Sequence, residues 1–87
     1  SDYHAGVQAY HAGAFEKAAA LFHQALGQNH GSATNAHYYL GLSLERLGEP
    51  NRAAAEYAYV IAHGQEAGIV AYAQARFQQL HGTLFPP

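Results

Sequence analysis

The feature that most constrains this chain is an internal duplication. Gly6, Gly13, Phe15, Ala18, Phe22, Ala25 and Leu26 are each answered 35 residues later by Gly41, Gly48, Pro50, Ala53, Tyr57, Val60 and Ile61. A fixed period of this length marks a solenoid, in which each unit is one supersecondary element. Such a unit cannot bury its apolar face alone and does so by stacking on the next.

Inside each unit the apolar positions recur at helical spacing. Ala5, Gly6, Ala9 and Ala12 form one stripe, Gly13-Ala14 interrupts it, and Phe15, Ala18, Phe22, Ala25 and Leu26 form a second that ends at Gly27. The pattern restarts with Leu40, Gly41, Leu44 and Leu47, breaks at Gly48-Glu49-Pro50, and resumes with Ala53, Tyr57, Val60 and Ile61 before Gly64. Pro50 suits the first turn of a helix, where its missing N–H has no partner to lose. Gly27 and Gly64 are expected to close their helices in the left-handed conformation. Val70, Ala73, Phe77 and Leu80 predict a fifth helix ending near Gly82, a cap over the open face of the second hairpin. The expected architecture is therefore one all-α domain: repeat one over about 2–28, repeat two over about 34–64, a capping helix over about 67–82, and an extended tail 83–87.

Composition narrows the function classes. At 87 residues the core will be thin, because a chain of this size hides only roughly 60 to 65% of its unfolded surface. Charged residues make up 11%, against about 25% in ordinary soluble domains, which leaves a nearly neutral surface. A formal charge of −2 with four basic residues, Lys17, Arg46, Arg52 and Arg76, supplies no cationic field for a phosphate backbone, so nucleic acid is not an expected partner. The longest apolar stretch, around Tyr57 to Ala62, falls far short of the roughly 20 residues that a membrane span requires. With no cysteine there is no disulfide framework and no thiolate metal site. Beginning at Ser1 and lacking methionine, the chain reads as a fragment or processed form.

These residues together resemble the tetratricopeptide repeats. The resemblance rests on the small residue in the first helix (Gly6, Gly41), the glycine at the hairpin turn (Gly13, Gly48), the alanine at the close helix crossing (Ala18, Ala53) and the aromatic of the second helix (Phe22, Tyr57). It covers about Asp2 to Gly64 as two repeats, with Val70 to Gly82 similar to the solvating helix that closes such arrays. The chain departs from the family where Asp2 and His37 replace a large aromatic, where Ala5 and Ala9 replace bulky residues, and in a period of 35 instead of the usual 34. The extra residue is expected in the Gln28 to Thr34 connection, where His30 stands in place of a common proline.

The resemblance implies a right-handed superhelix whose concave face, lined by the first helix of each repeat, takes a peptide or protein segment. Projecting the helical period places Tyr3, Val7, Tyr10 and His11 of the first repeat, and Tyr38, Leu42, Glu45 and Arg46 of the second, on that face. Tyr72 continues the row about one residue off strict equivalence. Tyrosine suits an interface because it offers a large rigid contact area with a polar tip. Some family members clamp a chaperone's C-terminal carboxylate there with lysine, arginine and asparagine; Tyr3 and Val7 stand at the positions for lysine and asparagine, which argues against that role. A second reading is association with copies of itself through uncovered apolar faces, with Phe85-Pro86-Pro87 extended into a neighbour's groove.

Seven histidines raise the question of metal. Chelation from one helix needs two imidazoles three or four residues apart, whereas His4 and His11 are seven apart, about 10 Å along the axis. His23 and His30 repeat that spacing across a helix end, His37 is expected to start the next element, and His63 and His81 lie near helix C-termini. Scattered surface imidazoles are the expectation, with no metal or other cofactor. The carboxylates Asp2, Glu16, Glu45, Glu49, Glu56 and Glu66 fall mostly on polar faces or helix starts, and no nucleophile motif is present, so no catalysis is expected. Glu45 and Arg46 project about 100° apart and are expected to contact a partner instead of each other.

Overall fold

The computed structural model describes residues 1–28 and 33–84, the side chains of Thr83 and Leu84 excepted. Five helices follow one another: α1 (Asp2–His11), α2 (Phe15–Leu26), α3 (Ala33–Arg46), α4 (Pro50–His63) and α5 (Ala67–Leu84). No strand occurs among the described residues, and the fold is all-α. The expected extra residue near His30 and the tail Phe85-Pro86-Pro87 lie outside the described residues, while Thr83 and Leu84 belong to α5 and not to an extended tail.

The turns of the two hairpins match in backbone detail. Gly13 and Gly48 take φ of +81° and +74°. Each sits just beyond a helix end in the Schellman arrangement: Gly13 N–H donates to the Tyr10 carbonyl (3.0 Å) and Ala14 N–H to Ala9 (2.9 Å), while Gly48 donates to Glu45 (3.1 Å) and Glu49 to Leu44 (2.9 Å). Left-handed backbone costs a residue with a Cβ roughly 1–2 kcal/mol, so glycine is required at both turns. The left-handed helix ends therefore occur at these hairpin turns and not at Gly27 or Gly64, whose φ values are −83° and −71°. Gly64 is needed for space instead: a Cβ there would lie 2.6 Å from both the Val60 carbonyl oxygen and Val70 Cγ2.

Close approach explains the other repeated glycines. A Cβ on Gly6 would lie 2.8 Å from Phe22 Cε1, and one on Gly41 would lie 2.8 Å from Tyr57 Cε1. The absent side chain is the socket for the aromatic ring of the following helix. Ala18, Ala25, Ala36, Ala53 and Ala73 are completely buried, and their small size lets the helices pack closely around the few large core groups, Phe22, Leu44, Tyr57 and Val60.

Each helix packs chiefly on its chain neighbours, and α2 meets α3 as extensively as the partners within a hairpin meet each other. Two stacked hairpins and a cap give extents of 42 × 26 × 19 Å, the shortest being about two helix diameters. Beyond their chain neighbours, α1 meets α3, and α5 reaches α3 through Tyr72 and Arg76, so α1, α3 and α5 share one layer, against which α2 and α4 pack. One continuous core joins them, from Ala9, Ala18 and Phe22 through Leu40, Leu44, Ala53 and Tyr57 to Ala73 and Leu80. Burial of Ala73 and Leu80 anchors α5 as the cap.

Candidate functional site

The α1/α3/α5 layer carries a continuous run of aromatic rings. Tyr3 and Tyr10 both meet Tyr39 edge-on, at 6.2 and 5.8 Å between centroids. Tyr39 lies 5.6 Å from Tyr38, and Tyr38 in turn meets Tyr72 of α5 at 6.1 Å and 78°. Edge-to-face geometry at these separations adds about 0.5–1.5 kcal/mol per pair beyond burial. Tyr39, absent from the expected row, is its hub, and it also stacks on Phe22 at 5.3 Å and 17°. The duplication gave no hint of it, because the matching residue of repeat one is His4.

The expected face residues divide into two groups. Tyr3, Val7, Tyr10, Tyr38 and Leu42 are half-buried and pack onto the core, so much of each side chain is structural. Burial above all lifts the Tyr3 and Tyr38 hydroxyls above their ordinary value, which keeps both neutral. His11, Arg46 and Tyr72 are exposed, with Tyr72 at 49%. Tyr10, Leu42, Glu45, Arg46 and Tyr72, together with Arg76 of α5, line a groove of about 310 Å³. Tyr3, Val7, His11 and Tyr38 stand outside it.

Glu45 does not contact its neighbour Arg46, nor is it left for a partner. Its carboxylate accepts from the Tyr57 hydroxyl at 2.5 Å, from Arg76 Nε at 3.0 Å, and from Arg76 Nη2. The pair is only partly open to water, with side-chain exposures of 16% for Glu45 and 30% for Arg76. Burial works to raise the Glu45 carboxyl, but the hydrogen bonds from Arg76 and Tyr57 and the Arg76 charge outweigh it and hold the group below its usual range. Burial, then the hydrogen bond to Glu45 and its charge, push the Tyr57 hydroxyl up, so it remains a neutral donor. Arg46 turns the other way and lies over the Phe15 ring, 5.0 Å from its centroid. Phe15 itself meets Tyr10 at 5.5 Å.

The chain matches no family model, no curated protein and no solved structure.

The histidines are less scattered than expected. His37 lies inside α3 and does not open it; its Nδ1 is 2.6 Å from Glu56 Oε1 of α4, and its ring stacks on Tyr59 at 3.7 Å. His63 lies 4.4 Å from the same tyrosine. Glu45 and Glu56 are thus partnered and partly buried instead of lying on solvated faces. Among the described residues no group of three or more histidine, aspartate or glutamate side chains converges on a metal position. No helix among them is long and apolar enough to cross a membrane.

Proposed function

We propose that this chain is a non-catalytic protein-interaction module, similar in kind to the tetratricopeptide repeats, and that it holds a segment of another protein along the α1/α3/α5 layer. The observation that carries the reading is the groove where three helices converge, with Tyr72 half-exposed at its edge. Tyr72 stands out as an exposed large hydrophobic side chain, whereas every other tyrosine and phenylalanine ring among the described residues is buried wholly or in part. Aromatic residues set beside a polar rim are what interfaces enrich and where binding energy concentrates. The groove's one carboxylate, Glu45, is tied to Tyr57 and Arg76, which supports binding over acid–base chemistry.

The test is selection of a random twelve-residue peptide library, displayed on phage, against the immobilised chain. Binders are then titrated against the wild type and Tyr72→Ala. Affinities on the order of micromolar are expected from so small a contact area. Tyr72→Ala should weaken them roughly tenfold, the effect of a modest aromatic anchor, while the helical circular dichroism signal is kept and the melting temperature falls by only a few degrees from loss of the Tyr38 contact. Peptides that bind both proteins equally would reject the groove assignment.

A further inference from the structure

The groove carries an unbalanced positive charge although the chain as a whole has a formal charge of −2. Two guanidinium groups, Arg46 and Arg76, and one carboxylate, Glu45, line it. Glu45 is engaged by Arg76 and by Tyr57, so its charge is spent inside the fold. Arg46 is exposed and has no ion pair among the described residues. Its guanidinium is instead carried on the Phe15 ring, which Tyr10 braces from the side. A planar cation already seated on an aromatic face loses little freedom when it takes a ligand, and its N–H fork matches a carboxylate.

We infer that the segment held in this groove carries an aspartate or glutamate side chain beside its apolar anchor, and that Arg46 receives that carboxylate while Tyr72 and Leu42 meet the anchor. This rests on the groove reading above. The choice among occupants follows from desolvation. An uncharged segment laid across Arg46 strips water from the guanidinium and returns at most hydrogen bonds to neutral carbonyl acceptors, and a basic segment adds like-charge repulsion. A carboxylate replaces the lost water with a charge-assisted, two-point hydrogen bond. A nucleic acid is a poorer fit, because a phosphate backbone needs a run of cations and this groove has one that is unpaired. The volume of about 310 Å³ suits one or two side chains, not a folded surface.

The test uses the phage-selected peptides, in which the displayed C-terminus is fused and any acid is a side chain. Selected sequences should share an Asp or Glu next to an aromatic or aliphatic residue. Changing that acid to its amide should weaken binding to the wild-type chain about fivefold, the upper range for a solvent-accessible ion pair. The same change should have no effect against Arg46→Gln, and Arg46→Glu should prefer peptides with lysine at that place. The acid preference should shrink between 50 and 500 mM salt, about tenfold in ionic strength. Peptides that lose binding with Tyr72→Ala but show no acid preference and bind Arg46→Gln as well as wild type would overturn this inference and leave the groove standing. A selection that returns no binder, or only binders indifferent to both variants, would overturn the two together.

Discussion

Replacing Gly41 by alanine tests the central packing argument, because two effects of opposite sign are both sizeable there. In an ordinary helix interior the substitution stabilises by about 1 kcal/mol, since glycine surrenders the most backbone freedom on folding. Here the new Cβ would stand 2.8 Å from Tyr57 Cε1 and 3.1 Å from Cδ1 and Cζ, against a comfortable carbon–carbon separation of about 3.5–4.0 Å. The ring is fully buried and its hydroxyl is held by Glu45 at 2.5 Å, so it cannot withdraw without straining that bond. Overpacking of this kind costs about 1–3 kcal/mol, and weakening a hydrogen bond to a charged acceptor adds a further part of about 1.5–3 kcal/mol. The clash outweighs the helix gain, and the expected net loss is about 1–2 kcal/mol. For a domain of this size that corresponds to a fall in melting temperature of roughly 5–15 °C, read by circular dichroism and confirmed by urea denaturation. Gly6→Ala meets a clash as close, with a Phe22 ring that is likewise fully buried, but strains no hydroxyl bond, so it should lose only the overpacking part of the cost. Gly68→Ala, with nothing within 4 Å of its Cβ, should instead stabilise by about 0.5 kcal/mol. A Gly41→Ala chain that melts at or above the wild-type temperature would refute the socket explanation.

The same melts check three further expectations. Gly48→Ala meets no steric obstacle but forces a Cβ into φ of +74°, and should lose about 1–2 kcal/mol from backbone strain alone. Glu45→Gln should lose about 1–2 kcal/mol at pH 7, discounted for the partial exposure of Arg76. Because Glu45 titrates below its unfolded value, its stabilisation is present above about pH 4.3 and disappears as pH falls through the lowered folded value. The variant should therefore lose less stability than wild type on acidification, and parallel pH profiles would contradict the assignment. Tyr57→Phe should cost about 1 kcal/mol in the wild type and less in Glu45→Gln, whose amide oxygen still accepts from the hydroxyl but carries no charge, a coupling that a double-mutant cycle measures.

Much of the fold was legible because the stacking solution was written twice. The second copy of Gly13 is Gly48, and the only shared requirement of those turns is a left-handed backbone, which the Schellman bonds at both places satisfy. Gly6 and Gly41 were legible as small residues, although the reason, a ring seated where a Cβ would be, needed the neighbouring helix in place. Gly27 and Gly64 misled for a physical reason. Glycine after a helix reads as a left-handed cap by frequency, yet Gly64 answers a need for space against Val60 and Val70 that no local pattern expresses.

The site was less legible because its decisive contacts cross the period. Arg76 lies 31 residues from Glu45, on a helix that does not repeat the first two units in register, so superposing repeats could not pair them. One signal was nevertheless present. In repeat one, Tyr10 and Phe22 stand twelve apart; in repeat two the matching pair is Glu45 and Tyr57. Where the second-helix ring gains a hydroxyl, the first-helix position changes from an aromatic to a carboxylate that can accept from it, and the structure joins them at 2.5 Å. A buried hydroxyl must find a partner, and the carboxylate that serves it must then find a cation, which α5 provides as Arg76. That sequence of requirements removes Glu45 from the surface, leaves Arg46 as the groove's unpaired charge, and ties the cap helix to the second repeat. This difference between the repeats thus accounts for the tie between α5 and the second hairpin, and for Arg46 rather than Glu45 being the charge left open in the groove.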